Sequence, residues 1–123
     1  RVAGKQYLQS SPNSGVAYTV TTAMVGDVFL MDLDKAKLFK RLADSVATRV
    51  NGKVVATVPV THDGQIGMEA AIKPTDGPGV VRARVFSANQ RVYILEAAVL
   101  NPVDVTSPEV ERFFVDFQFG PAN

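Results

Sequence analysis

The chain of 123 residues contains no cysteine, no tryptophan and a single histidine, His62. Without cysteine it forms no disulfide, no thiolate metal site and no cysteine nucleophile. A metal site normally needs three or four convergent ligands, which one histidine does not supply. No serine lies in a hydrolase elbow motif, and the sequence has no glycine-rich phosphate loop. The sequence therefore predicts no catalytic residue, no bound metal and no cofactor.

The chain also lacks an excess of either charge. Thirteen basic residues face twelve acidic ones, which leaves a formal charge of +1. This balance disfavours nucleic acid and anionic membrane surfaces as main partners. One small basic cluster lies in a helical pattern and is interpreted as a solvated helix face: Lys35, Lys37, Lys40 and Arg41.

Long apolar runs are absent as well. No run approaches the ~20 residues of a membrane span, and no signal peptide is recognisable. The length and the composition, with 46% apolar residues, favour a single globular domain over residues 1–123. Because little sequence precedes the first predicted hairpin, we expect that an N-terminal leader, anchor or first strand is missing from this chain.

The N-terminal third has the alternation of strands. Two β-like runs, Lys5–Ser11 and Gly15–Met24, flank the turn-rich segment Pro12–Gly15 and predict a hairpin. The short apolar run Gly26–Met31 fits a strand, a loop or the approach to a helix, and the sequence leaves these three open.

Apolar side chains at helical spacing predict a first helix near residues 34–50. Asp32 or Asp34 is suited to cap its N-terminus, because a carboxylate accepts hydrogen bonds from free backbone N–H groups there. Asn51-Gly52 tolerates the left-handed conformation in which helices often end. The apolar stripe consists of Phe39, Leu42, Ala43, Val46 and Val50.

From residue 53 to residue 100 the period changes to two, which predicts four antiparallel strands in a meander. In the first of these strands, Val54, Ala56, Val58 and Val60 are predicted to share one face. Pro59 cannot donate a ladder hydrogen bond, so it indicates an edge strand or a bulge.

A last helix is predicted near residues 107–117. Thr106 and Glu109 fit a capping box, and Val105 and Val110 fit the hydrophobic staple across it. The apolar positions of this helix are Val110, Phe113, Phe114 and Phe117.

Several segments together resemble the PsbP/DcrB-like superfamily, over roughly residues 16 to 119. They are Gly67-Met68-Glu69, the strand 81–86, the block 89–95 and the helix 110–117. The chain departs from the family pattern at Asp116, where serine is usual. The resemblance implies an α+β fold, in which an antiparallel meander sheet and two helices form an α/β/α sandwich.

The resemblance also implies a class of function. Members are mostly non-catalytic and include extrinsic subunits of photosynthetic complexes, exported bacterial proteins and Ran-binding relatives. We therefore expect a non-catalytic accessory domain that is exported, lies outside the cytoplasm and docks on a larger protein complex. That complex could be a membrane-associated photosynthetic or electron-transfer assembly. A small-ligand carrier with a site between the first helix and the sheet is the alternative, and an enzyme is a third.

Few residues stand out as candidate sites. His62 and Asp63 form a weak candidate metal site, although an exposed turn residue is the simpler interpretation of His62. Asp32 and Asp34 lack the rest of a calcium-loop pattern, so helix capping explains them better. Cross-strand ion pairs are predicted for a further group of charged residues, namely Glu69, Glu96, Arg82, Arg84 and Arg91.

The turn Lys73–Gly79 is the candidate interaction site. Rigid proline and exposed glycine at a hairpin tip form a defined protrusion, and binding residues often lie on such loops. The candidate contact residues are Pro74, Asp76, Gly77 and Pro78. An ordinary structural turn is the alternative interpretation.

Overall fold

The structure is a computed structural model that describes residues 4–11, 16–24, 35–88 and 91–120. Its elements, in chain order, are β1 (Gly4–Ser11), β2 (Val16–Met24), α1 (Lys35–Arg49), β3 (Gly52–His62), β4 (Gln65–Pro74), β5 (Val80–Ala88), β6 (Arg91–Val99), a 3₁₀ helix (Pro102–Thr106) and α2 (Pro108–Asp116). The undecided run Gly26–Met31, the candidate caps Asp32 and Asp34, and the Pro12–Gly15 turn lie outside the described residues.

Six strands form one sheet in the order β1-β2-β6-β5-β4-β3, with every neighbouring pair antiparallel. The predicted four-strand meander is confirmed as β3 to β6, and the predicted N-terminal hairpin is confirmed as β1 and β2. The hairpin extends the meander because β2 pairs with β6. Short connections explain this layout, since consecutive strands joined by tight turns pair with each other.

The two helices lie on opposite faces of the sheet, which confirms the α/β/α sandwich. Strand β5 contributes side chains to both faces. Phe86 packs in the hydrophobic cluster with residues of α2, whereas Ala83 packs in the cluster with residues of α1. Side chains of a strand point alternately to its two faces, so both faces of the central strands are buried. Accordingly, β5 and β6 are buried along most of their length.

The α1 helix crosses its face of the sheet at an angle. Leu38, near its start, packs on Val92 of β6. Val46, near its end, packs in a cluster with Ile72 of β4 and Ala83 of β5. Because the helix starts over β6 and ends over β4, it leaves the far end of the β3–β4 hairpin uncovered.

Strand β3 is an edge strand in the described sheet, as Pro59 indicates. The predicted shared face of Val54, Ala56, Val58 and Val60 is wrong. The register shifts between Val54 and Ala56, which is a bulge. Val54 therefore packs in the α1 cluster, whereas Val60 packs in the α2 cluster. A bulge adds one unpaired residue, so it reverses the facing of everything on one side of it.

The sequence predicts the end of α1 correctly and the N-cap of α2 incorrectly. Asn51 has a φ of 55° directly after α1, as predicted for a helix end. The N-cap of α2 is Ser107, whose Oγ accepts a hydrogen bond from the Val110 N–H at 3.3 Å. The predicted cap, Thr106, is the last residue of the 3₁₀ helix instead. Adjacent hydroxyl residues make this one-residue shift invisible to the sequence pattern.

Candidate functional site

The candidate interaction residues converge on an apolar groove at the end of the sheet, which we call the turn groove. Its cavity of about 550 Å³ is lined by the β4–β5 turn, the end of β6, the start of β2 and the end of α1. Leu100, which is 70% exposed, lies on its rim. All four predicted residues line it: Pro74, Asp76, Gly77 and Pro78.

Backbone contacts hold the turn groove in shape. The Thr75 N–H donates to the Asn51 carbonyl at 2.9 Å, which ties the turn to the end of α1. Gly77 has a φ of 106°, a conformation that residues with a Cβ rarely adopt. A Cβ on Gly79 would lie 2.8 Å from the Val99 carbonyl oxygen, so only glycine allows this close approach. The turn is therefore a preorganised surface, which binds at a lower entropic cost than a mobile loop.

A second apolar groove lies at the opposite end of β4, and we call it the helix groove. Its cavity of about 500 Å³ lies between the first turns of α1 and the β3–β4 hairpin. Phe39 forms one wall, while Ile66 and Met68 form part of the other. The groove occupies the corner of the sheet that the oblique α1 leaves uncovered.

Four charged side chains form a network beneath α2. Arg82 Nε and Arg84 Nε each donate to Glu69 Oε1 at 2.8 Å, as the predicted cross-strand pairing requires. Arg82 also donates to Glu111 Oε1 at 2.5 Å. Both guanidinium groups lie 4.8 Å from the centre of the Phe114 ring. Every charge here has a partner, so the network stabilises the position of α2 and leaves no group free for chemistry.

The ion pairs of this network shift the pKa values of Arg82 and Glu111. Burial opposes the Arg82 charge, but hydrogen bonds to Glu111 and Glu69 raise the pKa of Arg82. The hydrogen bond from Arg82 lowers the pKa of Glu111 below its usual range. Both residues therefore stay ionised through the neutral range.

Glu96 does not pair with a strand arginine, so that part of the prediction is wrong. Its carboxylate lies on the α1 face, whereas the Arg82–Glu69 network lies on the α2 face. Arg49 of α1 donates to Glu96 Oε1, although the two residues are 47 positions apart. Burial leaves the Glu96 side chain only 7% exposed, and pairing with Arg49 compensates for this.

His62 is enclosed, not exposed as a turn residue would be. It closes the β3–β4 hairpin against Gln65, while Asp63 and Gly64 take positive φ values of 48° and 80°. Its Nε2 lies 2.5 Å from the Phe117 carbonyl oxygen and therefore carries the hydrogen that it donates. Aromatic rings surround the imidazole: Phe86, Phe117 and Phe119.

The position of His62 disfavours the candidate metal site at His62 and Asp63. Asp63 Oδ2 lies 3.6 Å from the same Nε2, so His62 and Asp63 are close in space. A nitrogen that donates to a carbonyl has no lone pair for a cation. Among the described residues, no three His, Asp or Glu side chains are grouped as metal ligands.

A third, more polar groove of about 380 Å³ lies between α2 and β2. Tyr18 lines it together with Glu109 and Arg112. Burial, reinforced by the nearby Glu109 carboxylate, raises the pKa of Tyr18 to about 12. The phenol is therefore neutral near pH 7 and does not act as a base there.

The sequence matches no protein-family model and no curated protein. Solved structures do match. One is a Pseudomonas aeruginosa protein, PA94, described as of unknown function and as a proposed regulator. It has a TM-score of 0.66 and 10% sequence identity over 99% of this chain and 86% of its own.

A second match is the cyanobacterial PsbP (CyanoP) of Synechocystis sp. PCC 6803. It has a TM-score of 0.57 and 12% identity over 94% of this chain and 78% of that one. This chain has a PsbP-like fold. The structural comparison confirms the fold that the residue pattern resembles. At these identities the likeness concerns the PsbP-like fold and does not extend to function.

The sequence predicted only some of the residues that line the turn groove. It singled out the turn, because proline and glycine at a hairpin tip are a local signal. It missed Val16 of β2 and Leu100, which directly follows β6. No signal in the sequence marks these two, since only the pairing of β2 and β5 with β6 brings them beside the turn.

Proposed function

We propose that this chain is a non-catalytic docking domain, which binds another protein of a larger assembly through the turn groove. One observation carries the proposal: a rigid, apolar cavity whose rim exposes Leu100. A large apolar side chain exposed beside a concave surface is typical of an interaction site. Of the described residues that line the groove, Asp76 alone is charged. The partner segment that fits is therefore apolar, with a lysine or arginine next to the inserted side chain.

The charged groups support a non-catalytic role. Glu69 and Glu111 are bound by arginines beneath α2, and Glu96 is bound by Arg49. Active sites need convergent titratable groups with access to a substrate, and these carboxylates are engaged in holding the helices. In the part of the chain that the structure describes, no helix has the length and apolarity to cross a membrane.

In its more specific form, the proposal makes the domain an exported subunit outside the cytoplasm. The assembly is then a membrane-associated photosynthetic or electron-transfer complex, and the supporting observation is the likeness to the cyanobacterial PsbP. Fractionation of cells that produce the protein tests this form separately. Recovery of the whole pool with cytoplasmic markers would exclude it and would leave the docking role in place.

The test of docking is purification of the tagged protein from its native source, as wild type and as Leu100→Glu. We expect the wild type to co-migrate with a large complex, and the variant to bind about tenfold or more weakly, which corresponds to ~1.4 kcal/mol. Val115→Glu is the matched control, because Val115 is 66% exposed on α2 and does not line the groove. Melting temperatures establish that both variants fold.

Two results would contradict docking at the turn groove. One is an unchanged complex with Leu100→Glu. The other is recovery of the wild type solely as a free monomer that has a turnover activity. A stable contact should bury on the order of 1,200 Å² in total, so the complex should survive gel filtration.

Small-ligand binding is a second candidate function, and one specific observation favours it. The helix groove is an open apolar cavity between α1 and the sheet, where the carrier alternative expects a ligand site. It is independent of the turn groove, because the two cavities share no residue.

A further inference from the structure

The helix groove has the size and lining of a small-molecule site. Its volume of about 500 Å³ lies within the ~300–1,000 Å³ that such sites occupy. Ile66 is 62% exposed on the α1 face, so this wall presents apolar surface to solvent. On the α1 face, Met68 pairs with Pro59 across the hairpin and completes the lining.

The groove follows from the crossing angle of α1. Leu38 anchors the start of the helix over β6, away from the β3–β4 hairpin. Phe39 is the next residue, so its ring points to the side of the helix on which the groove lies. Phe39 is itself only 5% exposed and therefore forms a fixed wall. Among the described residues, the cavity is thus formed by α1 and the β3–β4 hairpin.

In the part of the chain that the structure describes, the charges near the mouth of the groove have one sign. Among the described residues that line it, Lys35 alone is charged. The first two turns of α1 also carry Lys37, Lys40 and Arg41, and the first turn has no acidic residue. All four cations are exposed, and none makes an ion pair within 4 Å with another described residue. Asp34 precedes Lys35 in the sequence and lies outside the described residues.

We propose that the helix groove binds an amphipathic carboxylate, with its hydrocarbon part against Phe39, Ile66 and Met68 and its carboxylate at Lys35. An apolar cavity contributes affinity by burying hydrocarbon, and a single cation at its edge fixes the orientation of the ligand. The neighbouring cations of α1 attract the anion and increase its association rate. This binding function goes beyond docking and does not depend on it.

The probe is dodecanoate, titrated below its micelle concentration into the full chain and followed by isothermal calorimetry. We expect saturable 1:1 binding of dodecanoate. Dodecanol, which has the same chain and no charge, should bind the wild type at least fivefold more weakly. Lys35→Glu should weaken dodecanoate binding at least fivefold and leave dodecanol binding unchanged.

Ile66→Glu tests the apolar wall and should reduce the affinity for both probes at least tenfold. Ile66 is exposed, so the variant should fold, and its melting temperature verifies this. Leu100→Glu is the matched control at the other end of the sheet and should bind dodecanoate like the wild type.

The site is excluded if dodecanoate fails to bind at millimolar concentration, or if Ile66→Glu binds it like the wild type. Equal affinities for dodecanoate and dodecanol in both wild type and Lys35→Glu would exclude the assigned role of Lys35. Failure of the docking proposal would appear in the Leu100→Glu purification instead, so the two failures are distinguishable.

Discussion

The two faces of the sheet are packed with different kinds of side chain. Beneath α2 lie large rings and a network of four charges, centred on Phe114 and Arg82. Beneath α1 lie mostly alanine and valine, with one ion pair, Arg49–Glu96, at the end of the helix. The α1 face is thus packed with small side chains and the α2 face with aromatic rings.

Because of this difference, one face of the sheet contributes most of the stability and the other contains an open cavity. The rings around Phe114 and the residues after α2 interlock through ring contacts, including Tyr93–Phe117 and Phe117–Phe119. On the α1 face, a helix that crosses at an angle over small side chains leaves its corner of the sheet open. The α2 face therefore acts as the main source of stability, and the α1 face supplies a cavity.

The strongest test of this comparison is Phe114→Ala. Phe114 is 1% exposed and contacts both arginines of the network. Removing its ring should lower the free energy of unfolding by ~3–5 kcal/mol, as large-to-small changes in cores do. Urea denaturation measures this value. Val115→Ala, at an exposed neighbouring position, should change stability by less than ~0.5 kcal/mol. A loss below ~1 kcal/mol for Phe114→Ala would contradict the assignment of the main core to the α2 face.

A smaller effect distinguishes the ion pairs of the two faces. Arg49→Met leaves the buried Glu96 carboxylate without its partner and should destabilise by ~1–3 kcal/mol. Arg84→Met should cost less, because Glu69 keeps the hydrogen bond from Arg82 at 2.8 Å. Thermal and urea unfolding of both variants give the comparison.

A double variant checks the mechanism of the Arg49 effect. In Arg49→Met/Glu96→Leu the unpaired charge is gone, so most of the lost stability should return. If the double variant is as unstable as Arg49→Met, the loss comes from the packing of the arginine chain and not from the stranded carboxylate.

Much of the fold was predictable because its signals are local. The change of period at residue 53 predicted the meander, and Asn51 predicted the end of α1. The bulge between Val54 and Ala56 was not predicted. A bulge changes which face the side chains point to, but the residue types continue to alternate through it. The single-domain organisation over residues 1–123 stays a prediction.

The sites were less predictable because their residues meet only in three dimensions. Pro78 and Leu100 line one groove, and Phe39 and Ile66 line the other. The members of each pair are more than 20 residues apart in the sequence and form no recognisable motif. Glu96 was assigned to a strand partner because its position on a strand is visible in the sequence, whereas its facing depends on register. The interaction role of Pro74, Asp76, Gly77 and Pro78 remains a proposal.

The smallest predicted effect concerns the helix that closes the α2 face. Ser107 accepts a hydrogen bond from the Val110 N–H, whereas Thr106 ends the preceding 3₁₀ helix. Ser107→Ala should therefore destabilise by ~1 kcal/mol, the usual cost of losing an N-cap. Thr106→Ala is the matched control and should lie within ~0.5 kcal/mol of the wild type, because its side chain is exposed. Urea denaturation of the two variants separates the cap that the structure shows from the cap that the capping-box pattern predicts. The opposite order of the two losses would move the start of α2 back by one residue and restore Thr106 and Glu109 as the capping box.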